Sequence, residues 1–318
     1  MPSVVSMVSS MDKVAIVRCS DYTVSTVKNA MMESFGFFGG ADKYIKPREK
    51  ILLKPNLIVA SKEDGATTDA RFIEAVIEIV KDQHAIPVVG DSPAFGSATG
   101  VAKSVGILEV LERQNIDIVE FERNIPFREG VKITKSLKDF DKIINLPKLK
   151  AHSQVRFTGA TKNLFGLTKE KIKAWQHVIV RNNLDKFCLM ILRIYDSVRP
   201  AFTLVDAIDI MEGQGPRGGP MRRFGFVFSG VNCLSIDTVM AKCLGIDMEK
   251  APLLQAATKN GYKGTSFEGI EVMGESIENV IINDFAYPET LNDISFSLKG
   301  VVKSLFHHLW LLYVKEHR

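Results

Sequence analysis

The sequence has few cysteines, and their spacing excludes the common metal and redox sites. None of the four forms a C-x-x-C pair or another metal-ligand spacing: Cys19, Cys188, Cys233, Cys243. This spacing also excludes a ferredoxin-type iron–sulfur cluster ligated by this chain alone. We therefore expect free thiols and a reducing compartment.

Several nucleotide and hydrolase motifs are also missing. The chain contains no G-x-x-x-x-G-K-[ST] sequence, which excludes a P-loop nucleotidase, and no G-x-S-x-G nucleophile elbow. Gly213, Gly215 and Gly218 match G-x-G-x-x-G. However, Pro216 interrupts the motif, and a strand-like run follows where a helix should begin. We therefore expect these glycines to allow tight turns or close approach to a ligand.

The chain lacks the long runs that mark membrane or nucleic-acid binding. No apolar run is long enough to span a bilayer. With 41 basic and 37 acidic residues the net charge is only +4, and there is no extended Lys/Arg run. The N-terminus lacks the basic segment and sustained apolar stretch of a signal peptide. We expect no transmembrane segment, no nucleic-acid partner and a cytoplasmic location.

Short apolar runs alternate with longer helical patterns along most of the chain. Hydrophobic residues make up 46% of the sequence and charged residues 25%, which is typical of a globular protein. Strands are predicted at 14–17, 51–53, 86–89, 116–119, 142–146, 201–205 and 224–228. Helices are predicted at 23–38, 69–83, 99–114, 184–198 and 235–244, and Asp69 could cap the second of these. This rhythm predicts an α/β fold, with a mostly parallel sheet flanked by helices on both faces.

The two ends of the chain differ in character from the rest. We predict a disordered N-terminal tail over residues 1–12, an α/β domain over 13–284 and a C-terminal appendage over 285–318. The appendage includes an amphipathic helix, VVKSLFHHLWLLYVKEHR, which is too short to cross a bilayer. For this helix, docking on the body, a link to a further module and binding to a membrane surface remain alternatives.

Polar loops follow five of the predicted strands, and one of them is strongly cationic. Residues 145–166 contain no acidic side chain but include Lys148, Lys150, His152, Arg156 and Lys162. In open parallel sheets, ligands bind beyond the carboxyl ends of the strands. Because parallel strands would place all five loops at one edge, we expect these loops to form a binding cleft.

Lysines beside buried strands need anionic partners, because an unpaired buried ammonium is strongly destabilising. Lys54 and Lys150 are two such residues, and either nearby carboxylates or a bound ligand could serve. Lys162 is expected to lie in or open a short helix, capped by Thr158 or Thr161. A helix N-terminus with lysines is a natural anion site, and a solvated helix start is the alternative.

Three carboxylates follow the strand at 201–205, namely Asp206, Asp209 and Glu212. Together with His152 and His177 they could hold a divalent metal, and we take Asp206 and His177 as the candidate ligands. Alternatively, the carboxylates form ion pairs with the lysines. Asp237 could cap the helix that begins near it.

Six stretches together resemble one family. They are KPN at 54–56, GATTD at 65–69, GDSP at 90–93, NLPKLKAH at 145–152, TGATKNLFG at 158–166 and MEGQGPRGG at 211–219. In this order they resemble the family called domain of unknown function 362, from Val14 to Gly245. Members often carry ferredoxin-like modules with iron–sulfur clusters and are common in anaerobic bacteria and archaea. The resemblance therefore implies a cluster only through a partner or a further C-terminal module.

The resemblance implies one site but supplies no reaction. The site that it supports contains Lys54, Asn56, Asp91, Lys150, His152, Lys162, Asn163 and Glu212. Our further ligand-binding candidates in the matched stretches are Thr68, Asp69, Ser92, Gly213 and Gly215. The catalytic candidates are His152, Lys150 and Glu212, with His152 as the proton-transfer residue.

Two functions fit these observations. In the first, the chain is an enzyme domain that binds a small anionic metabolite. It would then be linked to iron–sulfur redox metabolism and to anaerobic metabolism. In the second, it is a non-catalytic module that docks or carries a ferredoxin-like electron-transfer unit. Lysines that bind a metabolite should line a concave pocket, whereas docking lysines should lie on an open face.

Overall fold

A sheet of ten strands with helices on both faces forms the centre of the molecule. The computed structural model describes residues 11–58, 65–93, 96–121, 123–127, 131–168 and 183–291. Within these ranges, two further short strands form a separate antiparallel pair. The predicted α/β class is confirmed.

The main sheet has the strand order β12-β1-β11-β10-β7-β2-β3-β4, and β8 pairs with both β10 and β9. The strands of the described residues are β1 (Asp12–Arg18), β2 (Lys50–Pro55), β3 (Ile86–Asp91), β4 (Ile118–Glu120), β5 (Asn124–Pro126), β6 (Lys132–Thr134), β7 (Lys142–Leu146), β8 (Lys148–His152), β9 (Arg156–Thr158), β10 (Phe202–Met211), β11 (Met221–Gly230) and β12 (Ile270–Gly274).

Most strands of the sheet run in one direction, and β11 is the main exception. The pairs β10–β7, β7–β2, β2–β3 and β3–β4 are all parallel. Strand β11 is antiparallel to both β10 and β1, so β1 runs in the same direction as β10. The expectation that all five polar loops share one edge is therefore wrong for the loop after β11.

Helices pack on both faces of the sheet. Those of the described residues are α1 (Val24–Phe37), α2 (Ala70–Asp82), α3 (Ala98–Ser104), α4 (Ile107–Gln114), α5 (Ala160–Asn163), α6 (Leu184–Val198), α7 (Cys233–Cys243), α8 (Pro252–Lys259) and α9 (Ile277–Val280). Successive strand residues point to opposite faces. In β1, Ala15 and Val17 pack in the core beneath α1–α4, whereas Val14 and Ile16 pack in the core beneath α5–α9.

Two local predictions need correction. The helix predicted over 99–114 is two helices, because Gly106 takes a left-handed conformation (φ 81°) between α3 and α4. The stretch after β7, which we expected to be a loop wall, contains the antiparallel hairpin of β8 and β9. Its polar, alternating composition concealed a strand that is buried along its whole length.

The predicted appendage begins in contact with the body of the protein. Phe285 is buried in the core beneath α5–α9, and the Gly213 N–H donates to the Ala286 carbonyl at 2.8 Å. The rest of this appendage, including its amphipathic helix, and most of the predicted N-terminal tail lie outside the described residues. The boundaries at residues 12 and 284 stay predictions.

Candidate functional site

The site is built on β8, whose alternate residues have opposite chemistry. Lys148, Lys150 and His152 share one face because side chains repeat every two residues in a strand. Leu149 and Ala151 point the other way, into the apolar core. Strand β8 continues beyond the end of β7 along β10, so it carries its polar row to the carboxyl edge of the parallel strands.

A fully enclosed ion pair lies beside this row, at the ends of β2 and β3. The Nζ of Lys54 lies 2.8 Å from Asp91 Oδ1, and the two side chains are 0% and 3% exposed. Lys54 also donates to the Pro55 carbonyl at 2.9 Å and to Asn163 Oδ1 at 3.3 Å. The second Asp91 oxygen accepts from the Leu57 N–H at 2.8 Å. Every N–H donor of this ammonium therefore has an acceptor within the protein.

Two asparagines extend this enclosed network. The Nδ2 of Asn163 donates to Asn145 Oδ1 at 2.8 Å and to the Lys54 carbonyl at 3.2 Å. The Nδ2 of Asn145 donates to the Ala160 carbonyl at 2.9 Å. We call Lys54, Asp91, Asn145 and Asn163 the Lys54 cluster. Burial lowers the pKa of Lys54, and the Asp91 carboxylate opposes that shift.

Gly166 closes the Lys54 cluster from the other side. A Cβ at this position would collide with Asp91 Oδ1 and would lie 2.5 Å from Lys54 Nζ. The Ser92 N–H donates to the Gly166 carbonyl at 3.2 Å, which ties the two loops together. The final glycine of TGATKNLFG is thus required by close packing against an ion pair.

The start of α5 is capped by a residue from another helix. Asp237, in the middle of α7, accepts from the Ala160 N–H at 2.7 Å and from the Thr161 N–H at 3.0 Å. Burial raises the pKa of Asp237 to about 6, and the hydrogen bonds from Thr161 and Ala160 limit the rise. The prediction that Asp237 caps its own helix is wrong, because Asn232 caps α7. Neither Thr158 nor Thr161 caps α5, which begins after Gly159 without a cap from its own segment.

Lys150 and Asn56 hold the loop of residues 65–69 in place. The Nζ of Lys150 and the Nδ2 of Asn56 each donate to the Ala66 carbonyl at 2.6 Å. The Thr68 hydroxyl accepts from the Asn56 N–H at 2.9 Å and donates to the Leu146 carbonyl at 2.8 Å. This loop leads into α2, where Asp69 is the N-cap and accepts from the Arg71 N–H at 2.9 Å, as predicted for Asp69.

A second buried lysine–aspartate pair lies under that loop. The Nζ of Lys148 is 2.9 Å from Asp206 Oδ2, and the side chains are 3% and 0% exposed. Lys148 also donates to the Tyr22 hydroxyl at 2.6 Å, and this hydroxyl donates to Asp206 Oδ1 at 2.7 Å. Burial and the Asp206 carboxylate raise the pKa of Tyr22 far above its usual value, so its hydroxyl stays protonated. We call Lys148, Asp206 and Tyr22 the Lys148 cluster.

The Lys148 cluster faces a cleft of about 390 Å³. Polar groups of Tyr22, Thr67, Asp69, Arg71, Lys148 and Asp209 line this cleft, and Val105 and Met221 add apolar surface. Its volume lies within the range typical of small-molecule sites. The N-terminal end of α2 also contributes to the wall through Ala70.

Three groups in the cleft have donors that the described protein does not use. Lys148 has two partners for its three N–H donors. The Thr67 Oγ1 is buried and has no hydrogen-bond partner among the described residues. The Nε and Nη2 of Arg71 donate to the Asp69 carboxylate at 2.9 and 2.8 Å. Its Nη1 therefore has no hydrogen-bond partner within the part of the chain that the structure describes.

His152 and Glu212 lie near the same edge but outside the cleft lining. The Nδ1 of His152 accepts from the Gln154 N–H at 3.1 Å, so this nitrogen acts as an acceptor. Glu212 Oε1 lies 3.2 Å from Arg222 Nε. A Cβ at Gly215 would collide with the backbone of β8, so this glycine permits the close approach of two backbone segments. The predicted approach of Gly215 to a ligand stays a prediction.

The residues described contain no group of three or more His, Cys, Asp and Glu side chains that could hold a metal ion. Both oxygens of Asp206 are engaged by Lys148 and Tyr22, and Oδ2 also accepts from the Asp69 N–H at 3.1 Å. The Asp206 carboxylate therefore forms an ion pair, which was the alternative to metal ligation. His177 lies outside the described residues, and its role as a ligand stays a prediction.

The predicted site residues fall into four groups. Thr68 and Asp69 line the cleft. Lys54, Asp91 and Asn163 belong to the enclosed Lys54 cluster, and Asn56 and Lys150 support the loop of residues 65–69. The remaining predicted residues that the structure describes do not line the cleft: Ser92, His152, Lys162, Asp206, Glu212, Gly213, Gly215.

Sequence reasoning missed Tyr22, Thr67 and Arg71 as site residues. Tyr22 lies in the loop after β1, and the rule applied to the later strands would have found it, because β1 runs parallel to β10. Thr67 lies within the matched GATTD stretch, and Arg71 follows it by two residues. Lys148 and Asp209 were noted in the sequence but were not assigned to the site.

The fold and the cleft define an α/β protein with buried lysines at the carboxyl edge of a mixed sheet. The chain belongs to the family described as domain of unknown function (DUF362), whose profile matches residues 51–242. It is also similar to the thylakoid-associated protein sll1697 of Synechocystis sp., with 31% identity over 309 residues. That match covers 95% of this chain and 96% of the relative.

Among the described residues, no helix has the length and apolar character needed to cross a membrane.

Proposed function

We propose that the chain binds a small anionic ligand in the cleft above the Lys148 cluster. The observation that carries this proposal is the set of unused donors on Lys148, Thr67 and Arg71, all of which line one cavity. The ammonium of Lys148 and the Oγ1 of Thr67 are buried, and a buried polar group without a partner is destabilising unless a ligand or water satisfies it. The Arg71 side chain is 54% exposed, so its unused donor carries less of the argument. A carboxylate or phosphate oxygen has the acceptors that these donors lack.

The formal charges around the cleft are nearly balanced. Anion binding there therefore depends more on individual hydrogen bonds than on net charge. Asp206 pairs with Lys148, Asp69 with Arg71, and Asp209 with Arg223 at 2.8 Å. The N-terminus of α2 adds a partial positive charge at the cleft wall. An anion therefore gains from hydrogen bonds aimed into the cleft rather than from a strongly positive field.

Burial favours this proposal over docking of an iron–sulfur partner. Lys54, Lys148 and Lys150 are 0%, 3% and 2% exposed, whereas docking lysines need an open face. We therefore keep the docking module and the iron–sulfur link only as the alternative. His152, Lys150 and Glu212 remain candidate catalytic residues, and the proposal assigns them no reaction.

Location is a separate question from binding. The relative in Synechocystis sp. is named for its association with thylakoids. A cytoplasmic location stays a prediction for this chain, and membrane-surface association of the whole chain is the outcome that would replace it. Fractionation of the full chain with and without thylakoid-type lipid vesicles distinguishes the two.

The test compares Thr67→Val with Ser34→Ala in titrations with phosphate, succinate and L-malate. Ser34 is a matched control, because its buried hydroxyl also has no partner among the described residues and it does not line the cleft. Removing one hydrogen bond to a charged ligand should weaken binding by about tenfold in Thr67→Val. Ser34→Ala should bind like the wild type.

Both variants should fold, since neither removes a used hydrogen bond. If no member of this panel binds the wild-type chain, or if both variants bind equally well, the anion site is refuted. Stoichiometric recovery of a ferredoxin with the native chain, without a small ligand, would favour the docking alternative instead.

A further inference from the structure

We propose that the anion bound in this cleft also carries a neutral hydroxyl group, which donates a hydrogen bond to Asp209. This inference rests on the proposed function and goes further by naming the ligand class. The class is short hydroxy acids or hydroxylated phosphate esters, whose anionic and hydroxyl groups lie a few atoms apart.

Asp209 offers an acceptor that the described protein leaves unused. Its Oδ1 lies 2.8 Å from Arg223 Nε, and Oδ2 has no hydrogen-bond partner among the described residues. The side chain is 29% exposed and lines the same cleft as Lys148. An ionised carboxylate accepts only, so a ligand group that satisfies Oδ2 must be a donor.

The positions proposed for the hydroxyl group and for the anionic group of the ligand are close together. The Asp209 N–H lies 3.2 Å from the Tyr22 hydroxyl, and Lys148 Nζ lies 2.6 Å from the same oxygen. A ligand held by Lys148 at one end therefore lies close to the Asp209 backbone, and Asp209 lines the same cleft. Val105 and Met221 supply apolar surface for the carbon atoms between the two groups.

The charges near Asp209 favour a hydroxyl over an ammonium group. Three cations surround the Tyr22 ring: Arg71 at 4.8 Å, Lys148 at 5.2 Å and Arg223 at 5.8 Å from its centroid. Asp209 already balances the charge of Arg223. An ammonium on the ligand would meet these cations at short range, whereas a hydroxyl donates without adding charge.

The experiment compares ligands that share a skeleton and differ in one substituent. Succinate, L-malate, D-malate and L-aspartate present hydrogen, hydroxyl or ammonium, and propyl phosphate and glycerol 3-phosphate form a second pair. Calorimetric titration of the full chain should show at least one hydroxylated member binding about tenfold more tightly than its plain partner. L-Aspartate should bind more weakly than malate.

Asp209→Ala should abolish this preference and leave the affinity for succinate or propyl phosphate unchanged or higher. Asp284→Ala is the matched control, because Asp284 also pairs with an arginine, at 2.7 Å, but does not line the cleft. Wild-type binding without preference for a hydroxyl, or a preference that survives in Asp209→Ala, would overturn the inference alone. Absence of binding by every probe would overturn the proposed function as well.

Discussion

The two buried lysine–aspartate pairs have nearly the same geometry but different surroundings. Their N–O distances are 2.8 Å for Lys54–Asp91 and 2.9 Å for Lys148–Asp206, and all four side chains are at most 3% exposed. Lys54 has three acceptors within the protein, whereas Lys148 has two and faces a cleft. We infer that the first pair is a scaffold and the second a binding site.

The largest expected effect is the loss of either ammonium. Lys54→Met and Lys148→Met each leave a buried carboxylate uncompensated, which should lower the free energy of unfolding by about 3–5 kcal/mol. The control Lys142→Met removes a partly exposed pair with Glu49 and should cost about 1 kcal/mol or less. Denaturant titration measures all three.

A double variant separates pairing from packing. Lys54→Met with Asp91→Leu replaces the enclosed pair by apolar side chains and should recover much of the lost stability. If the single variant Lys54→Met is as stable as Lys142→Met, the scaffold role of the enclosed pair is wrong.

The support of α5 should make stability depend on pH. Burial raises the pKa of Asp237 from 3.8 to about 6, so the folded state holds its proton more tightly than the unfolded state. The tighter proton binding by Asp237 therefore adds to the free energy of unfolding below pH 3.8, and this added stability is lost as the pH rises through 6. The full change is about 3 kcal/mol by linkage.

Denaturant titrations between pH 4 and 7 measure this change. As the pH rises, the unfolding free energy of the wild type should fall relative to that of Asp237→Asn. A difference that is flat across this window would mean that Asp237 keeps an ordinary pKa.

A bound anion should distinguish the two pairs directly. At one hundred times its Kd, a ligand stabilises the folded state by about 2.7 kcal/mol. Lys54→Met should retain this gain, because its ammonium does not reach the cleft, and Lys148→Met should lose it. Thermal unfolding with and without L-malate or phosphate provides the measurement; equal gains in the two variants would erase the distinction.

The smallest effect concerns the glycine that closes the Lys54 cluster. Gly166→Ala forces a Cβ against Asp91 and Lys54 and should cost about 1–3 kcal/mol. Gly36→Ala, in α1, has open space around the added Cβ and should stabilise by about 0.5–1 kcal/mol. Denaturant titration should show changes of opposite sign in the unfolding free energy of the two variants. An unchanged unfolding free energy in Gly166→Ala would contradict the packing account.

The sequence was sufficient for most of the element pattern and for the edge at which four of the five polar loops gather. Strand–helix alternation and apolar periodicity specified β7 and α6 to the residue, and Asp69 was recognised as the cap of α2. These features are local, because they depend on residues that are neighbours in the chain. The family resemblance pointed to the same stretches.

The different roles of the buried lysines within the site could not be predicted from the sequence. Whether Lys54 or Lys148 keeps an unused donor depends on acceptors from distant segments, such as Asn163 for Lys54 and Tyr22 for Lys148. The direction of β11 was also not readable, because an antiparallel strand in a mixed sheet has no distinct local pattern. Strand β8 was missed because polar residues occupy its buried face.

The most direct test of the central claim is a crystal structure of the full chain grown with L-malate, with a parallel crystal grown with phosphate. The account predicts an anion oxygen within about 3.2 Å of Lys148 Nζ and of the Thr67 hydroxyl, with the Lys54 cluster unchanged. An empty cleft, or a third protein acceptor on Lys148, would contradict it.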